Sequence, residues 1–203
     1  MWTGAILAGG HARRLGGLNK AGLVLHPSGA SILDRQLSRL SRVVDQTIII
    51  ANDAEPFTSA GVPVIADVVD GGALGGLYTA VHSAQTDRTL VVACDMPFLS
   101  EALLAHLVEV GRTVDIAIPR TARGYEPLCA TYSRRSAPEL RRLIDSQQLR
   151  LSDVASSDAW SSVLRRSRGS KGSFSSPRSC GLENRRQHRY GVAAPRPEAP
   201  QEA

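Results

Sequence analysis

Fourteen residues near the amino terminus carry the densest chemistry in the chain. Leu7-Ala8-Gly9-Gly10-His11-Ala12-Arg13-Arg14-Leu15-Gly16-Gly17-Leu18-Asn19-Lys20 combines four glycines, two arginines and a lysine after a short apolar run. Glycine lets main-chain N–H groups approach an anion closely, and the cations offset phosphate charge. No Gly-Lys-Ser/Thr follows, so this is not a Walker loop, and it is not Gly-x-Gly-x-x-Gly either. Composition alone also fits a glycine-rich turn with basic surface groups.

Two further places hold residue types suited to a ligand. Asp95 follows the apolar run Leu90-Val91-Val92-Ala93-Cys94. A hard carboxylate oxygen delivered there suits Mg²⁺ beside a triphosphate, or else caps a helix before Pro97. Gly71-Gly72-Ala73-Leu74-Gly75-Gly76 reads as a loop whose bare main chain, at Gly75, can lie against a base or ribose; the other reading is a flexible turn before a helix.

These residues need elements to present them. Apolar runs bounded by Gly, Pro, Asn or Asp occur at 4–8, 47–51, 62–66, 89–94 and 114–119. Each is short and near-continuous, as strands buried on both faces of a parallel sheet are. Helical patterns fall between and after them, at 32–43, 76–84, 101–110 and 137–145. Ser31 caps the first, whose apolar stripe is Ile32, Leu33, Leu37, Leu40 and Val44. Five strands alternating with four helices predict a Rossmann-like, doubly wound α/β fold with a mostly parallel sheet, in which ligands bind at the carboxyl ends of the strands. Gly9, Asn52, Asp67 and Asp95 all fall at such ends.

Composition narrows the class. The chain has 203 residues, 42% of them hydrophobic, enough to bury a core. No window approaches 18 uncharged apolar residues, so no membrane span is expected. Three cysteines make neither a disulfide framework nor a Cys-x-x-Cys metal site, and the first residues lack a basic leader, so a cytoplasmic location is expected. Residues 1–155 carry 15 basic and 15 acidic groups, whereas residues 156–203 carry nine and four. The whole net charge of +5 therefore lies in the last 48 residues, ten of which are serine. This low-complexity basic tail is expected to be disordered, and the balanced first part is no nucleic-acid surface.

Taken as a set, Leu-Ala-Gly-Gly-x-x-x-Arg-x-Gly-x-x-x-Lys, Val64-Ile65-Ala66-Asp67, Gly71 to Gly76, Cys94-Asp95-Met96-Pro97 and Gly124-Tyr125-Glu126-Pro127-Leu128 resemble the molybdenum cofactor guanylyltransferases, the MobA family, over residues 3–155. The resemblance implies a nucleotide-diphospho-sugar transferase-like fold, with residues 1–155 as the nucleotidyltransferase domain. It implies GTP and molybdopterin as substrates and Mg²⁺ as cofactor. In that family pattern Leu7, Ala8, Gly9 and Gly10 meet the nucleotide through main chain. Lys20 neutralises its phosphates, Asn52 and Asp67 hold the guanosine, and Asp95 binds both metal and GTP. Gly75 belongs to the same nucleotide site.

The reaction so implied is in-line: the terminal phosphate of molybdopterin attacks the α-phosphorus of GTP and diphosphate leaves. Either Arg13 or Arg14 stabilises the departing charge. Proteins that deliver molybdopterin, and chaperones of the receiving enzymes, are the implied partners. Related enzymes that use CTP tend to show Leu-Ala-Ala-Gly in the first loop, where this chain has Ala8-Gly9-Gly10. A sister enzyme with another base or acceptor, such as a molybdopterin cytidylyltransferase, is the alternative, as is a catalytically impaired GTP-binding homologue. Two departures stand out. Asn19 replaces the usual Asp before the lysine, and nothing in residues 156–203 matches the family's closing Asn-x-Asn-Thr segment. The altered ending implies weakened acceptor binding with the GTP half-site retained.

Overall fold

Strand β1 (Thr3–Leu7) is buried along its whole length and is hydrogen-bonded in parallel on both sides, to β2 (Gln46–Ile50) and to β4 (Arg88–Ala93). The computed structural model describes residues 1–9, 30–122 and 124–151. The chain divides into units Met1–Lys171 and Gly172–Ala203, and the second lies wholly outside the described residues, as does the tail 156–203. Outward from β2 comes β3 (Val64–Ile65), also parallel. Outward from β4 come β8 (Cys129–Ser133) and then β5 (Ile116–Ala117), giving the order β3-β2-β1-β4-β8-β5. A two-stranded ribbon, β6 (Arg120–Thr121) with β7 (Gly124–Tyr125), stands apart from this sheet.

Helices cover both faces: α1 (Ile32–Leu40), α2 (Gly72–Ser83), α3 (Glu101–Gly111) and α4 (Ala137–Asp145). Alternate strand residues divide between two cores. Ala5, Leu7, Ile48, Ile50 and Val91 pack with α2 and α4, while Ile6, Ile49, Leu90 and Val92 pack with α1 and α3. That is why the strands read as unbroken apolar runs. Ser31 begins α1 with a capping box: its hydroxyl accepts from the Asp34 N–H, and the Asp34 carboxylate accepts from the Ser31 N–H.

Two expectations are corrected. Between β4 and β5 lies an additional strand, β8, antiparallel to both neighbours. Its sequence Cys-Ala-Thr-Tyr-Ser shows no apolar run, yet the strand is buried along its whole length, and two of its three hydroxyls are hydrogen-bonded within the protein. The Tyr132 hydroxyl donates to the Pro127 carbonyl at 2.7 Å and the Ser133 hydroxyl to Asp115 at 2.8 Å. The glycine segment 71–76 is also not a loop, since α2 begins at Gly72. Gly72 has φ +57°, a left-handed entry that favours glycine. Gly75 sits against the main chain of the preceding turn, and a Cβ on it would lie 2.7 Å from the Val69 carbonyl oxygen. Gly75→Ala is therefore expected to lower unfolding stability by about 1–3 kcal/mol, read from the denaturant midpoint, since backbone must shift to admit the methyl.

Candidate functional site

Strand register decides which residues meet at the carboxyl edge. Leu7 stands opposite Ile50 and Ala93, and Ile50 opposite Ile65. Two residues beyond that common level the four parallel strands deliver Gly9, Asn52, Asp67 and Asp95. The sheet thus brings together four of the positions that the sequence pointed to, from segments far apart in the chain.

Asn52 and Asp67 form a reciprocal pair. Asn52 Nδ2 donates to Asp67 Oδ2 at 3.0 Å, and the Asp67 N–H donates to Asn52 Oδ1 at 2.8 Å. The carboxylate lies between two bare glycine faces. A Cβ on Gly9 would stand 3.8 Å from Oδ2, and one on Gly76 would stand 3.5 Å from Oδ1. Oδ1 is buried and accepts no hydrogen bond among the described residues. Burial raises the pKa of Asp67 above the usual carboxylate value, the Asn52 hydrogen bond opposes that rise, and the charge of Asp70 adds to it. The result is a fixed carboxylate with one buried oxygen that has no hydrogen-bond partner among the described residues.

Ala8 and Gly9 contribute differently from expectation. Their N–H groups both donate to the Ile50 carbonyl, at 2.9 and 3.1 Å, so these two amides are not available to an anion. The Leu7 carbonyl accepts from the Cys94 N–H at 3.0 Å, which ties β1 to the turn that carries Asp95. Gly10, Arg13, Arg14 and Lys20 lie outside the described residues. Gly75 is buried in α2 and faces Val69, whereas its neighbour Gly76 faces Asp67 and Leu7. Sequence reasoning named Gly75; Gly76 is the glycine beside the carboxylate, and only helical phase separates the two.

Asp95 is exposed in the turn after β4, and its carboxylate has no partner among the described residues. No group of three His, Cys, Asp or Glu side chains gathers among the described residues. A hard divalent cation here would take one carboxylate oxygen and fill its shell with ligand phosphate oxygens and water. That is the usual donor set for Mg²⁺ in phosphoryl-transfer sites, so the residues fit such an ion. The turn is braced by Gln36 of α1, a buried residue whose Nε2 donates to the Ala93 and Met96 carbonyls. Sequence reasoning missed it, although a lone glutamine on the stripe of Ile32, Leu33 and Leu40 was a visible signal.

A cavity of about 690 Å³ opens at the opposite, amino edge, beside Trp2, Gln46, Thr86 and Arg88. Its central cation is occupied structurally. Arg88 donates to the Gly111 and Val114 carbonyls and covers the Trp2 ring at 5.9 Å. The carboxyl edge is where Asp67 Oδ1 and the Asp95 carboxylate lie, both without a hydrogen-bond partner among the described residues.

Comparison with known proteins agrees with this fold. Residues 4–159 match the MobA-like NTP transferase domain family. The chain is 35% identical over 142 residues to a molybdenum cofactor guanylyltransferase from Desulfosudis oleivorans, covering 69% of each protein. Matched stretches span about two thirds of the curated relatives' own length. Among solved structures, molybdopterin-guanine dinucleotide biosynthesis protein A from Archaeoglobus fulgidus superposes with a TM-score of 0.60 at 29% identity, over 73% of this chain and 76% of that one. Rv0371c from Mycobacterium tuberculosis, in complex with manganese, superposes with a TM-score of 0.54 at 25% identity, over 70% of this chain and 76% of its own.

A pH experiment tests the electrostatics of Asp67. Because its folded pKa is raised, the folded state favours the protonated carboxyl. That contribution is present at low pH and is lost as pH rises through the raised value. Asp67→Asn removes the titration and still offers Asn52 an acceptor. The variant is expected to be at least as heat-stable as the parent at pH 7, with a flatter response across the acid range. A lower midpoint at pH 7 would mean that the ionised carboxylate stabilises the fold.

Proposed function

From the premise that the chain belongs to the MobA-like NTP transferase family, we propose that it is a nucleotidyltransferase of molybdenum cofactor biosynthesis that moves GMP from GTP to molybdopterin. A phosphate oxygen of the acceptor forms a bond to the α-phosphorus, the bond from that phosphorus to the bridging oxygen of the β-phosphate breaks, and diphosphate leaves. The observation that carries this reading is the alignment of Gly9, the Asn52–Asp67 pair and Asp95 at one sheet edge. A guanine ring offers two N–H donor groups, N1–H and the exocyclic amine, on one edge, which suits a carboxylate such as Asp67 that has an unpaired oxygen. The main chain from Leu7 to Gly10 borders the same base.

Each remaining residue has a stated part. Asn52 holds the Asp67 carboxylate in place. Gly75 lets α2 seat closely enough to set Gly76 beside it. Lys20 offsets charge on the triphosphate, and Arg13 or Arg14 the charge that develops on diphosphate. Asp95 supplies a carboxylate oxygen to a divalent cation, taken to be Mg²⁺, and reaches the GTP phosphates through it. When bound, that ion draws charge from the phosphate oxygens. No covalent intermediate on the protein is required, because a phosphate monoester is itself a nucleophile. Activity resides in residues 1–155, and the basic stretch 156–203 lies outside it. A cytoplasmic setting, with separate proteins that bring molybdopterin and take the product, completes the proposal.

Thermal unfolding with Mg²⁺ and separate additions of GTP, CTP or ATP tests it. GTP at a hundred times its dissociation constant is expected to raise the midpoint by roughly 5–10 °C. Asp95→Asn should abolish that rise and the formation of the guanine dinucleotide product. A rise selective for CTP would make the protein a cytidylyltransferase, and no rise with any nucleotide would overturn the reading.

A further inference from the structure

Gln36 is 1% exposed, on the face of α1 that packs against the sheet. Its Nε2 donates to the Ala93 carbonyl at 2.8 Å and to the Met96 carbonyl at 3.2 Å. Both partners are carbonyl oxygens, so only the amide nitrogen can face them, and the orientation of the side chain follows from chemistry. The two carbonyls bracket Cys94 and Asp95. One turn further along α1, the Arg39 guanidinium donates to the Pro97 carbonyl at 3.3 Å. A single helix therefore holds three carbonyls of the turn that presents Asp95. The other end of the Gln36 amide does not help folding, because Oε1 is buried without a hydrogen bond among the described residues. A buried unpaired acceptor is unfavourable, and a leucine of similar size would avoid it.

We propose that Gln36 is a positioning residue for the Asp95 carboxylate: by fixing the carbonyls on either side, it sets the direction from which Asp95 meets a divalent cation. The inference rests on the reading of Asp95 as the metal-binding acid. It predicts that Gln36 governs the metal-dependent part of nucleotide binding and leaves the metal-free part alone.

Calorimetry on the full chain, measuring GTP affinity in Mg²⁺ and again in EDTA, separates the two parts. For Gln36→Leu the ratio of the two affinities is expected to fall about tenfold, the equivalent of one hydrogen bond, with the EDTA value unchanged. Asp95→Asn should collapse the ratio, and the double variant should be no worse than Asp95→Asn alone, because both changes act through one carboxylate. A parent-like ratio in folded Gln36→Leu, or losses that add in the double variant, overturns the proposal. If Asp95→Asn keeps the parent ratio while GTP still binds, the metal reading of Asp95 fails and this inference with it. Should Gln36→Leu not fold, Gln36→Met carries the same expectation, since its flexible apolar chain fits irregular space.

Discussion

The parallel hydrogen bonding of β1 to both β2 and β4 is the constraint on which the rest of this structure depends. Parallel ladders keep successive strands in step, so their carboxyl ends finish at one level. With Leu7 level with Ile50 and Ala93, and Ile50 level with Ile65, four separate loops open onto one crevice. A slip of one residue in any pairing would turn every side chain of that strand to the other face. It would exchange residues between two distinct cores and remove one functional group from the edge. Packing and site geometry are thus enforced by the same register.

Within the crevice, polar groups are held by neighbours that have no side chains to obstruct them. Asp67 is pinned through one oxygen by Asn52 and bordered by Gly9 and Gly76, and its second oxygen is buried without a hydrogen bond among the described residues. The segment before α2 is held as well: the Val68 N–H donates to Thr79 Oγ1, which donates in turn to the Gly75 carbonyl. Such rigidity matters for a reaction with no covalent step on the protein, where rate comes from placement and charge neutralisation.

The antiparallel insertion of β8 adds a second side to the site. Because β8 runs against β4, its start, and the Gly124–Tyr125 strand before it, lie at the carboxyl end of β4. The Ala93 N–H donates to the Leu128 carbonyl at 2.9 Å, so this stretch adjoins Asp95 on the side away from Asn52 and Asp67. Asp95 thus stands between a half built on β1, β2 and β3 and a half built on β8.

What the sequence determined by itself is local and chemical. Continuous apolar runs announced β1, β2 and β4, Ser31 as a cap announced α1, and the glycines, Asp67 and Asp95 announced a phosphate-related site. These features are legible because each depends on residue type and short spacing. Tertiary structure alone decided the rest. The strand Cys129–Ser133 carries no apolar run, and its buried place between β4 and β5 comes from strand pairing that periodicity does not record. Gly76 rather than Gly75 borders Asp67 because helical phase and the approach of Val69 choose between adjacent identical residues. The N–H groups of Ala8 and Gly9 are taken by Ile50, an atom more than 40 positions away in the chain. Gln36 gained its place only when α1 met the turn after β4. Hydrogen bonds between distant segments are set by the packed register, and no single stretch of sequence contains that information.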